Sequence, residues 1–216
     1  MQLINPPNSH DGAKIEPQWI PPVYSGPEPS IPTGPDGTDG GGGVEYHGSC
    51  RCGAVQAAVK LKCLLDETYT DPILECNCSI CQRVRPSPLI PLLNLPSPPQ
   101  PRFSNTMINQ GGYIWIYPRK EQIALEGADN LAGYAFGNKV WKKMFCKTCG
   151  VHVMTDLNVQ TDKEFAALPE DVRKSTKEKL PFRPVNVRIF NGFDALSLKT
   201  TKADGWDGLS PQYVNP

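Results

Sequence analysis

Three cysteines stand close together in the stretch ECNCSICQ, at Cys76, Cys78 and Cys81. Two pairs flank them along the chain: Cys50 and Cys52 in SCRCGAV, and Cys146 and Cys149 in FCKTCGVHV. Thiols so placed hold a metal ion, exchange as a dithiol and disulfide, or staple the chain. Zinc is the ion they suit, because it takes thiolate ligands in tetrahedral geometry. A Cys-x-x-Cys turn presents two sulfurs to one ion, and Gly150 after the last pair permits the backbone turn. One such pair says little; three clusters in one chain say much more.

The clusters can share metal in two ways. Cys78 and Cys81 can join Cys146 and Cys149 as in a zinc ribbon, but their separation far exceeds the usual ribbon spacing of about 15 to 20 residues. That pairing also strands three thiols. Alternatively, Cys50, Cys52, Cys146 and Cys149 make a closed four-sulfur site, and the triplet holds a second zinc. A site with three protein ligands keeps a position for water or substrate, whereas a closed site is structural. The eighth cysteine, Cys63, falls on the apolar side of an alternating run and reads as a small buried hydrophobe.

His10 lies in a proline-rich arm, His47 precedes the first cluster and His152 follows the last. Each reads as a structural or solvated histidine. His152, Asp156, Tyr134 and Arg83 are the residue types available to carry a proton, and Arg83, two positions past Cys81, is the candidate anion contact.

The elements that must position these groups read as mainly β. From Ala54, the residues Val55, Ala57, Val59, Leu61 and Cys63 alternate with polar ones, as in a half-buried strand. Residues 111–119, 121–127, 130–137, 151–158 and 184–193 are further short strands bounded by Gly, Pro or Asn. Residues 161–180 break that rhythm. Pro169, Glu170 and Asp171 form a helix start, with lysines toward the end, so a short surface helix is expected there. Residues 85–101 carry seven prolines and exclude a central strand or helix interior. Residues 1–43, with nine prolines and eight glycines, form an extended arm, in which Trp19, Ile20 and Tyr24 offer packing surface. The folded domain is expected over 44–210, with insertions near 85–101 and 160–184.

Bulk properties exclude some classes. The 22 basic and 22 acidic residues cancel, so nothing in the charge points to nucleic acid or an anionic membrane. The first residues have no apolar signal core and no run matches a membrane span, so a soluble cytoplasmic protein is the expectation. In that reducing setting, close thiols are more often ligands or redox groups than disulfides.

The motifs GSCRCGAV, CNCSICQR and FCKTCGVHV, with DNLAGYAFG before the last and VNVRIFNGFD and DGW after it, resemble the glutathione-dependent formaldehyde-activating family, which includes centromere-protein-V-like proteins. The resemblance covers about 46–84, 111–158 and 185–206. It implies a β-tent of antiparallel sheets around a structural zinc. It implies that Cys50, Cys52, Cys146 and Cys149 bind that zinc, and that Cys76, Cys78 and Cys81 hold a second, catalytic one. The implied activity is carbon–sulfur lyase chemistry: joining or parting a small thiol such as glutathione and a carbonyl or thioether partner. The arm and the two insertions depart from the family pattern. Leu89, Ile90, Leu92, Leu93 and Leu95 follow the triplet and could roof its pocket, which points to a partner larger than formaldehyde, such as a specialised metabolite. The assembly considered is a homodimer. The rival readings are a non-catalytic zinc module that binds protein through its proline-rich arm, and a thiol redox protein using Cys78 and Cys81.

Overall fold

A computed structural model of the chain describes residues 17, 19–32, 42–83, 113–159, 161–193, 195 and 197–205. The roof expected over 85–101, His10, and Trp206 of the DGW motif lie outside these residues, whereas Asp204 and Gly205 of that motif lie within them.

Among the described residues, ten strands form two sheets, in keeping with the mainly β expectation. The smaller has the order β1-β2-β5, built from β1 (Val44–Ser49), β2 (Gln56–Leu61) and β5 (Ile123–Glu126). The larger has the order β10-β3-β4-β9-β8-β7-β6. Its members are β3 (Ile73–Cys76), β4 (Ile114–Ile116), β6 (Leu131–Ala135), β7 (Trp141–Cys146), β8 (His152–Leu157), β9 (Val185–Asn186) and β10 (Thr201–Ala203). Neighbouring strands are antiparallel apart from β10, which runs parallel to β3 and so departs from the all-antiparallel expectation.

The larger sheet's two faces differ because side chains alternate along each strand. Ile73, Ile116, Val185, Met154 and Met144 are successive register partners across β3, β4, β9, β8 and β7. This row packs into one core with Tyr46, Val59 and Leu61 of the smaller sheet. Residues one position away face the other side, and the site lies there.

Several elements differ from the sequence expectation. β2 ends at Leu61, so Cys63 lies past the strand and is half-buried. The run 184–193 is a strand only over Val185–Asn186. The Asn186 side chain then accepts the Arg188 N–H at 3.2 Å and starts a 3-10 turn over Val187–Ile189. β7, absent from the sequence reading, pairs with β6 and β8 and ends on Cys146. Three helices are described: α1 (Ser79–Arg83), α2 (Asp162–Ala166) and α3 (Glu170–Lys179). Thr161 caps α2 by accepting the Glu164 N–H, and α3 starts after Pro169 with Glu170 and Asp171 in its first turn, as expected of a surface helix. No helix among the described residues is long and apolar enough to cross a membrane.

Candidate metal centres and the adjoining cleft

Two turns of the same build hold the four-sulfur cluster. After β1, the Cys50 carbonyl accepts the Gly53 N–H at 3.1 Å, and the Val55 N–H points at Cys50 Sγ at 3.3 Å. After β7, the Cys146 carbonyl accepts the Gly150 N–H at 2.9 Å. Gly53 and Gly150 both take left-handed backbone, at φ 78° and 74°, which glycine adopts without a Cβ clash. The sulfurs of Cys50, Cys52, Cys146 and Cys149 all lie within 4.8 Å of one another. Cys52 Sγ is 3.6 Å from both Cys50 Sγ and Cys146 Sγ. A tetrahedral ion with metal–sulfur bonds of about 2.3 Å has sulfur–sulfur edges of about 3.8 Å, so the set fits a metal ion and its donors suit zinc.

The thiol electrostatics agree with that fit. Burial pushes the Cys50 thiol up to about 12. Burial also opposes ionisation of Cys149, but N–H donors of Val151 and Cys52 outweigh it and hold the thiol at about 6. Sulfurs so close cannot all ionise without a cation to share.

The triplet comes from one continuous stretch. β3 ends on Cys76, Cys78 follows, and the first turn of α1 brings Cys81 back toward both. The three sulfurs lie within 4.8 Å of one another, with Cys78 and Cys81 Sγ 3.4 Å apart. The Cys78 N–H points at Cys76 Sγ at 3.5 Å. Hydrogen bonds from Cys76 and Cys81 hold the Cys78 thiol far down, while those with Cys76 and Cys78 push Cys81 up. The negative charge thus settles on Cys78 and resists spreading, and a divalent cation would relieve this. No fourth Cys, His, Asp or Glu joins the set among the described residues. The stretch 84–112 that follows contains none of those four types.

Gly205, two residues past β10, packs on the triplet. A Cβ there would lie 2.8 Å from Cys78 Cβ and 3.0 Å from Cys76 Sγ. The Asn77 amide donates to Asp204 Oδ1 at 3.0 Å and pins that crossing.

A cleft of about 260 Å³ opens on the outer face of the larger sheet. Cys76 shares that face with Leu74, whose register partner is Trp115. Tyr134, Lys143 and Thr155 are register partners on the same face. Ile80 of α1, Tyr113, Tyr134, Phe145 and His152 line the cleft, with Lys143 and Gly150. Lys143 Nζ donates to Thr155 Oγ1 at 2.9 Å and sits 4.0 Å from the Trp115 ring centroid. Burial lowers its pKa, opposed by the negative charge of Cys81, Cys78 and Cys76. Tyr117 is raised to about 12 by burial and by Cys76 and Cys81.

His152 is wedged edge-on against Tyr113, at 4.5 Å between centroids, and against Trp115, at 5.0 Å. Its Nε2 donates to the Met154 carbonyl at 3.1 Å. Burial, then Lys143, hold its pKa down at about 4, so it is neutral at pH 7.

The structure thus brings Cys76, Cys78 and Cys81 together, and Cys50, Cys52, Cys146 and Cys149 together, in two separate sets. Of the proton-carrier candidates, Tyr134 and His152 reach the cleft. Asp156 does not: it follows Thr155 and so faces the other side, 3.8 Å from Arg183. Arg83 ends α1, and its side chain lies outside the described residues. His47 is on the smaller sheet, 2.7 Å from Glu45. Lys143, Trp115, Tyr113 and Gly205 were missed in the sequence reading. The alternation Trp141, Lys143, Phe145 against Lys142, Met144, Cys146 was the available signal for β7, but it does not say which lysine meets the triplet.

No family model matches the chain, and no curated protein matches it. Among solved structures, the crystal structure of a Rhodobacter sphaeroides protein, a structural-genomics target, is 24% identical with a TM-score of 0.41, over 72% of this chain and 97% of that one. A likeness of that degree carries no argument about activity.

Proposed function

We propose that the chain is a zinc-dependent enzyme of carbon–sulfur chemistry, working at the triplet and at the cleft that Ile80, between Cys78 and Cys81, lines. One observation carries the reading: one cysteine set has four sulfurs, whereas the other has three, with no fourth ligand type beside it among the described residues. A set that is one donor short suits an ion with a position kept for a substrate. Cys76, Cys78 and Cys81 are the residues that would hold it. Zinc bound there would supply a site at which a substrate thiol, such as that of glutathione, stays deprotonated near neutral pH.

The chain's own groups do the rest. Lys143 places a positive charge beside three sulfurs. Tyr113, Phe145 and Ile80 give the cleft apolar and aromatic walls. His152, neutral at pH 7 with its Nε2–H engaged, holds the aromatic wall rather than supplying a proton. Resemblance of the cysteine motifs to the glutathione-dependent formaldehyde-activating family supports a thiol and a carbonyl as the partners, and lyase as the reverse direction.

Cobalt substitution tests this. The protein loaded with two cobalt ions should show thiolate-to-metal bands, and glutathione should change those of one ion only. Cys78→Ser should abolish the change. Bands indifferent to added thiols refute the enzyme reading and favour a non-catalytic zinc module. A metal-free, reversibly oxidised Cys78–Cys81 pair would instead favour redox work.

A further inference from the structure

Resting on that reading, we propose that the cleft takes an aromatic aldehyde, flat against Tyr134 and Phe145, with its carbonyl oxygen met by the Lys143 ammonium.

Shape and lining come first. The walls are Ile80, Tyr113, Tyr134 and Phe145, with the His152 ring, so most of the surface is apolar or aromatic. At about 260 Å³, the cleft falls just below the ~300–1,000 Å³ range of drug-sized sites and suits a ligand of about one ring. Tyr134 stays half exposed even though Phe136 stacks on it with planes 11° apart. A large aromatic left on a cleft rim is a surface for another ring to cover.

Charge then selects the polar group. The Lys143 ammonium has three N–H bonds. One goes to Thr155 Oγ1, and the Trp115 face takes the charge from another side. No carboxylate lies within ion-pair distance of it among the described residues. A donor therefore remains for whatever occupies the cleft. Three thiolates around a divalent ion leave one net negative charge, which the ammonium offsets. A ligand carboxylate would add a further charge in a partly desolvated place and be disfavoured. A neutral carbonyl adds none until it reacts.

The reaction then moves charge toward Lys143. A sulfur lone pair forms the C–S bond, and the C=O π pair moves onto oxygen. The negative charge left by thiol deprotonation passes to that oxygen, which Lys143 meets. The proton given up by the thiol ends there, as the hydroxyl of a hemithioacetal. Nothing is oxidised or reduced. An ammonium aimed at the developing oxyanion stabilises the transition state more than the ground state.

The test uses the full-length, zinc-loaded protein and benzaldehyde labelled with ¹³C at its carbonyl. Without thiol, binding should shift the carbonyl resonance. Tyr134→Ala should weaken binding about 3- to 10-fold through loss of ring contact. Lys143→Met should keep both zinc ions and the melting temperature within a few degrees but lose the shift, and with glutathione present it should slow addition about 10²- to 10³-fold. Absence of benzaldehyde binding overturns the proposal. So does a shift that persists unchanged in both variants. A Lys143-dependent shift with no addition of glutathione upholds the aldehyde site and refutes the carbon–sulfur reading instead, so the two fail separately.

Discussion

Replacing Cys146 by serine, and separately Cys81 by serine, perturbs two equally buried sulfurs whose ions would tie the chain very differently. Both residues are fully inaccessible to solvent, so the cost of burying a hydroxyl, ~1–3 kcal/mol, is shared. The cross-link is not shared. Cys146 meets Cys52 across 94 residues and ties the β7–β8 hairpin to the smaller sheet. Cys81 meets Cys78 across only 3 residues, and Cys76 belongs to the same short stretch. Chain-entropy arithmetic puts closure of the long loop at ~4.7 kcal/mol and of a loop of about 5 residues at ~2 kcal/mol. The difference of ~2.6 kcal/mol comes from separation alone. Added to the burial term, loss of the four-sulfur ion approaches the ~5–15 kcal/mol that holds a domain together. Cys81→Ser should therefore lose one zinc and stay folded. Cys146→Ser should melt at least ~5–10 °C lower than Cys81→Ser, or not fold at all. Zinc counted by dye release and melting followed by circular dichroism decide it. Equal melting temperatures, or a folded Cys146→Ser beside an unfolded Cys81→Ser, would refute the assignment of the structural role to the four-sulfur set.

Two further outcomes are expected. His152 titrates at about 4 when folded against 6.5 as a free side chain, so the unfolded chain binds the extra proton in between. Its contribution is complete above pH ~6.5 and is lost as pH falls toward about 4. Wild type should lose ~2 kcal/mol between pH 7 and 5 that His152→Phe does not, read from urea midpoints; parallel pH profiles would sink the idea. In Gly205→Ala, the new methyl would crowd Cys78 and Cys76. Overpacking of ~1–3 kcal/mol should weaken the triplet's ion about 5- to 150-fold in chelator competition, leaving the four-sulfur ion untouched; equal retention of both ions would count against it.

The residue pattern by itself determined the local pieces. Cys-x-Cys and Cys-x-x-Cys followed by glycine encode turns, because two or three residues and a left-handed glycine close them without help from elsewhere. Period-two alternation marked β2, and Pro169 with its acidic neighbours marked the start of α3, for the same local reason. What only the tertiary structure decided is non-local. Spacing left open which cysteine pairs share an ion; the meeting of the turns that follow β1 and β7, strands of different sheets, brings Cys52 to Cys146. Sequence could not separate Lys142 from Lys143, since the two are adjacent and of one type. Strand register put Lys143 between Tyr134 and Thr155 on the face that carries Cys76, and turned Lys142 and Asp156 to the other side. A strand's pleat assigns neighbours to opposite faces, but which face meets the core and which meets the cysteines depends on partners distant in sequence.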